Sequence, residues 1–130
     1  MNTYEVIEAA ANLIEVTGWS QGCNARAADG EQTMLHPYPN DPRPPVSFCA
    51  HGALCKVSAG EPTRSYAYDS VSDLAFDALN RSSPNLSIVS FNDAPGRTKE
   101  EVLTLMRGVA IKLRTIEMVS DDALHAALFN

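Results

Sequence analysis

Apolar positions return at helical spacing from the start of the chain. Val6, Ala9, Ala10, Leu13 and Ile14 follow Asn2, which forms a capping box with Glu5 three residues on. Gly18 marks the end of that first helix. No period holds from 20 to 45. Asp29-Gly30 suits the turn of a small hairpin pairing 23–27 with 32–35. Five prolines from Pro37 to Pro45 then exclude helix and central strand and leave a stiff extended loop. Helical spacing resumes over 46–59, with Val46, Cys49, Ala50, Ala53 and Val57 as its stripe and Gly60 as its stop. There the small residues Ala50, Gly52 and Ala53 leave room for a second helix. Ser70 and Asp73 cap the next helix, whose stripe is Val71, Leu74, Ala75, Ala78 and Leu79. Residues 60–69 between them form a loop holding Tyr66 and Tyr68.

After Pro84, the run Leu86, Ile88, Val89 and Phe91 has the composition of a short strand. Asn92-Asp93 and Pro95-Gly96 turn the chain, and Thr98 with Glu101 is a second capping box. The helix it opens, 98–118, is about 30 Å long at the standard rise. Val102, Leu105, Met106, Val109, Leu113 and Ile116 make one continuous stripe, so this helix is expected to be the spine of the core. Gly108 in its interior implies close packing against Gly52 or Ala53. Ser120 opens a last short helix with Leu124 and Leu128 on one side. The tail 119–130 then either docks on the core or swaps onto a second copy as a homodimer. The predicted fold is mainly α: one compact domain over 1–130, four to five helices, one or two short strands and the proline-rich loop.

A net charge of −6 disfavours nucleic acid and acidic membrane surfaces as partners. The balance reverses locally, with Arg97, Lys99, Arg107, Lys112 and Arg114 set against Glu100 and Glu101. Three cysteines, an odd count without paired spacing, and no signal-like or membrane-spanning stretch point to a reducing cytoplasm.

The candidate ligand site is the corner at 91–98. Bare amides at a helix N-terminus, the guanidinium of Arg97, the hydroxyl of Thr98 and the turn at Gly96 suit a phosphate or carboxylate. Asn92 and Asp93 flank it, and Trp19 is available to stack on a ring. The structural alternative is that Arg97 pairs with Asp93 and the unit is a rigid corner. In the proline-rich loop, His36, Tyr38 and Arg43 are the contact residues if it closes over a pocket. His51 and Cys55, four apart on one helical face, make a thiol–imidazole pair. A Cys–His–Asn hydrolase can be assembled from Cys49 or Cys55, His51 and Asn92, although two of its members share one turn. No recognised metal spacing joins Cys23, His36 and His125 to that pair, and no phosphate loop or dinucleotide fingerprint is present, so neither metal nor cofactor is expected.

Gly18-Trp19-Ser20-Gln21-Gly22, Cys49-Ala50-His51-Gly52-Ala53-Leu54 and the stretch from Phe91-Asn92-Asp93 through Gly96-Arg97-Thr98 to Glu101-Val102 carry a resemblance. The chain resembles a family of small, functionally uncharacterised domains of bacteria and their phages. Its members read G-W-x-Q-G, C-x-x-G-A-L and W-N-D-x-x-G-R-T-x-x-E-V, with Phe91 here in place of the usual Trp. The resemblance implies a bacterial or phage setting; it carries over no catalytic residue and fixes no activity. The expected function is a non-enzymatic module binding an anionic small molecule such as a nucleotide, in a phage setting a sequestered host signal. The alternatives are an inhibitor docking on a host protein through the acidic N-terminal half or the proline-rich loop, and a cysteine-dependent enzyme.

Overall fold

Helix α1 (Thr3–Thr17) begins where its cap dictates. The Asn2 side chain accepts from the Glu5 amide at 3.0 Å, and the Glu5 carboxylate accepts from the Asn2 amide at 3.1 Å. Val6, Ile7, Ala10, Ala11 and Ile14 are buried along one face. The computed structural model describes residues 1–33, 43–59 and 70–129. Among these, the chain continues through β1 (Ala25–Arg26), β2 (Ser47–Phe48), α2 (Ala50–Ala59), α3 (Ser70–Arg81), a 3-10 turn (Pro84–Leu86), α4 (Ile88–Asp93) and α5 (Lys99–Phe129). The fold is mainly α, with β1 and β2 paired antiparallel, Ala25 opposite Phe48 and Arg26 opposite Ser47. No helix among the described residues is long and apolar enough to cross a membrane.

The core gathers α1, α2, α3 and the first half of α5 around Ile7, Ile14, Leu54, Leu79, Val102 and Met106, with Ile88 of α4 added. Helix α1 packs most extensively against the other three long helices, so the first helix shares the role of spine with α5. The small residues of α1, Ala10 and Ala11, are what let three helices approach it.

Several expectations are corrected. Residues 46–49 are extended and not helical: the Val46 amide donates to Arg26 O at 2.8 Å, and Phe48 places its ring in the core. Backbone pairing to β1 outweighs a helical stripe that the same residues also fit. The apolar run at 86–91 is helical and not a strand. Asn85 and Leu86 turn the chain with φ of 58° and 56°, and Ser87 Oγ caps α4 by accepting from the Ser90 amide at 3.1 Å. Ser120 opens no new helix, because α5 runs unbroken for 31 residues, about 46 Å. A serine without a neighbouring glycine or proline is a weak stop. Gly108 meets nothing within 4 Å; the close approach falls instead on Gly52, which lies against the backbone of Asn24. Leu74, assigned to the inner stripe of α3, is 57% exposed.

The turn at Asp29-Gly30 does form. The Gly30 amide donates to Ala27 O and the Ala27 amide to Glu31 O, both at 2.9 Å, and Arg26 bridges Gln32. Arg43 braces this turn through Asp29 and the Gln32 carbonyl, each at 3.1 Å. His36, Tyr38 and most of the proline-rich loop, like the loop with Tyr66 and Tyr68, lie outside the described residues.

Candidate functional site

The corner is assembled from three distant stretches, and Asn92 is its hub. Its Oδ1 accepts from the Trp19 indole at 2.9 Å and from the Ala50 amide at 3.1 Å. Its Nδ2 donates to Ser20 O at 3.1 Å and to Asp93 Oδ1 at 2.9 Å. Gln21 reaches over the end of α4, donating to Asn92 O at 2.9 Å and Ala94 O at 3.1 Å, and the Gly22 amide donates to Asp93 at 3.0 Å. The three motif stretches thus interlock as one polar clasp. Trp19 is held on two sides. The chain around it pairs with Phe48, whose amide donates to Gly18 O at 3.0 Å, and its indole turns toward Asn92.

Beyond the clasp, Gly96 takes φ of +79° in the turn, a conformation glycine adopts without strain. Arg97 then folds inward. Its Nε donates to Phe91 O at 2.8 Å, its guanidinium stacks 3.8 Å over the Phe91 ring, and its Nη1 pairs with Glu101 at 3.1 Å. Its carboxylate partner is therefore Glu101, one helical turn on, and not Asp93. The same Glu101 carboxylate accepts from the Thr98 amide at 2.9 Å and the Thr98 hydroxyl at 3.1 Å. The corner brings together Trp19, Asn92, Asp93, Gly96, Arg97 and Thr98, and it already seats an anion of its own, Glu101.

The Thr98 amide, then the Thr98 hydroxyl and Arg97, hold the Glu101 carboxyl below its usual 4.5. Arg107 does the same for Glu15, and the Glu31 amide for Asp29. A folded value below the unfolded one means the unfolded chain takes up the proton first as pH falls. The stabilisation is complete above the usual 4.5 and is lost as pH drops through the folded value. Glu101→Gln is therefore expected to lower the melting temperature at pH 7 and to flatten its decline between about pH 5 and 3. Parallel wild-type and variant curves in thermal melts across that range would refute the assignment.

The thiol–imidazole pair exists, with a different third member. Cys55 Sγ lies 3.6 Å from His51 Nε2, and His51 Nδ1 lies 3.2 Å from Asn24 Oδ1. Asn24, missed in the irregular stretch, stands where Asn92 was expected. With an amide oxygen as acceptor, Nδ1 carries the ring proton and Nε2 faces the thiol. Burial works against catalysis, pushing the Cys49 thiol up to about 11 and Cys55 to about 12, while pulling His51 below its usual value. Proton transfer from Cys55 to His51 is opposed on both sides, so the resting pair is neutral. Cys49 accepts from the Gly52 amide at 3.2 Å, a structural role. Under a thiol reagent at neutral pH, half-buried Cys23 is expected to react first, with Cys49 and Cys55 at least about 100-fold slower until the chain unfolds. Rapid labelling of Cys55 in the folded protein, read by peptide mass spectrometry, would restore the enzyme reading. Among the described residues no group of three or more His, Cys, Asp or Glu side chains is placed to hold a metal ion.

A separate opening of about 480 Å³ lies between the start of α1, α3 and the middle of α5. Tyr4, Leu74, Ala78, Val109, Leu113 and Ile116 form its apolar walls, and Asp77, Arg81, Lys112 and Glu117 carry charge around it. The sequence signal for this groove was the length of the α5 stripe, which outruns the buried core.

The chain belongs to the family of unknown function DUF6197, whose match covers residues 1–112. No curated protein and no solved structure matches it.

Proposed function

We propose that this member of a family of unknown function is a non-enzymatic binding module whose working face is the groove between α1, α3 and α5. One observation carries the reading: large apolar side chains stand exposed around a single opening, Leu74 at 57% and Ile116 at 53%. Covering such surface yields about 25 cal/mol per Å², and a concave apolar floor with a charged periphery is the usual form of a site for a ring or an amphipathic helix. Asp77, Arg81, Lys112 and Glu117 supply both signs at the periphery and would orient the occupant. A cytoplasmic setting suits the three free thiols. Indole titrated into the isotopically labelled protein is expected to shift amide resonances at 74–82 and 109–117, and Leu113→Glu to abolish the shifts. Shifts elsewhere, or none at millimolar indole, would overturn the reading.

A second reading keeps an anionic small molecule at the corner, in a bacterial or phage setting a nucleotide signal held out of circulation. Its support is the convergence of Trp19, Asn92, Asp93, Gly96, Arg97 and Thr98. The ligand must displace Glu101 from Thr98 and Arg97. Nucleotides should then raise the melting temperature of Glu101→Gln more than that of the wild type and leave Arg97→Ala unmoved. An unresponsive Glu101→Gln variant removes this reading.

A further inference from the structure

Two soft donors face each other on α2. Cys55 and His51 are four positions apart, so one helical turn sets Sγ and Nε2 on the same face, 3.6 Å from each other. Bonds of about 2.0–2.3 Å from a thiolate and an imidazole to one ion hold the donor atoms about 3.5–4.3 Å apart, as the angle opens from tetrahedral to linear. The pair therefore already has the span of a chelate. In the resting pair the thiol proton occupies that gap.

The imidazole is oriented from behind. Asn24 Oδ1 lies 3.2 Å from His51 Nδ1 and accepts its proton, which turns the lone pair of Nε2 toward sulfur. A carbonyl-type oxygen on the far ring nitrogen is the usual outer partner of a metal-bound histidine. Phe76 lies tilted against the ring with centroids 4.7 Å apart, which limits its rotation. Charge then selects the ion. Cys55 is 7% exposed, and burial resists its ionisation. A thiolate, a neutral imidazole and a monovalent cation sum to zero. A divalent ion would leave a buried positive charge and still call for two more ligands. Among the described residues no third His, Cys, Asp or Glu is placed to complete such a set. Sulfur with imidazole nitrogen is also the donor set that suits soft copper(I).

We propose that Cys55 and His51 bind one copper(I) ion per chain, with Asn24 as the positioning residue. Binding forms a sulfur–copper and a nitrogen–copper bond and breaks the S–H bond, whose proton leaves to solvent. Copper and sulfur keep their oxidation states. The three residues share none with the groove between α1, α3 and α5, so this inference stands apart from the groove reading.

Anaerobic titration of the full chain with copper(I), in competition with a coloured copper(I) chelator and with histidines labelled with nitrogen-15, tests it. One tightly held ion and one released proton per chain are expected. The His51 Nε2 resonance should move while Nδ1 keeps its proton. Cys55→Ser should weaken binding by about 100-fold or more and His51→Gln by about tenfold, with Cys23→Ser within about threefold of the wild type. Asn24→Ala should cost about tenfold and mix the two ring tautomers in the metal-free protein. Tight binding that leaves the His51 signals in place, or that survives in Cys55→Ser, overturns the inference. So does a wild type that takes no ion from the chelator. The histidine signals are read in the wild type, so a Cys55→Ser chain that fails to fold leaves the test intact. Unchanged affinity and tautomer in Asn24→Ala would remove its positioning role.

Discussion

Asn92→Ala is expected to cost about 4 kcal/mol and to lower the melting temperature by about 15 °C. The side chain is 1% exposed and makes four hydrogen bonds, two through each terminal atom. Its loss strands the buried Ala50 amide and the half-buried Trp19 indole, and an orphaned buried donor carries a desolvation penalty of about 1–3 kcal/mol. Asn92→Asp should be nearly as damaging at neutral pH. It keeps an acceptor for the indole but loses the donor to Ser20 O and places a second carboxylate beside Asp93. Trp19 is the only tryptophan, so a change in its emission, read with urea unfolding, reports the broken contact directly. A loss under about 1 kcal/mol would mean the clasp is not what holds the three stretches together.

Gly52→Ala is expected to be the next most severe change, about 3 kcal/mol or more. A β-carbon there would sit 2.0 Å from Asn24 O and 2.8 Å from Asn24 C. Both are backbone atoms, so no rotamer relieves the clash; α2 or the segment leading into β1 must move. Asn24→Ala should therefore not rescue Gly52→Ala, although it would if the side chain were the obstacle. Gly108→Ala is the control. Nothing lies within 4 Å of the new methyl, and a helix interior favours alanine by about 1 kcal/mol, so this variant should be more stable than the wild type. Equal effects at the two glycines, measured by urea unfolding, would contradict the packing described here.

What the sequence disclosed follows a physical divide. The caps at Asn2 and Thr98, the stripe of α1 and that of α5 as far as Leu113 are local or strictly periodic signals, and they emerge where expected; Ile116, the last of the α5 stripe, stands outside the core at 53% exposure. The short apolar runs at 46–49 and 86–91 carried no such signal. Whether Phe48 joins a strand depends on Ala25 lying opposite, and whether Ile88 starts a helix depends on Ser87 capping it. Polar residues in a turn are the least legible of all. Asn92 and Arg97 have the chemistry of a ligand site whether they face solvent or each other's neighbours, and only tertiary placement separates a donor that waits from one already engaged. The same holds for Asn24, which reads as loop filler until His51 and Gly52 are seen against it. Gly52 and Gly108 look alike in sequence because a glycine signals room to approach without naming what approaches.

The indole of Trp19 and the amide of Asn92 are separated by 73 positions along the chain. Bringing them together closes a long loop, and that entropy is offset only once α1 and α5 have already docked. The clasp is thus expected to act as a latch and not a nucleus, so that Asn92→Ala speeds escape from the native state more than it slows folding.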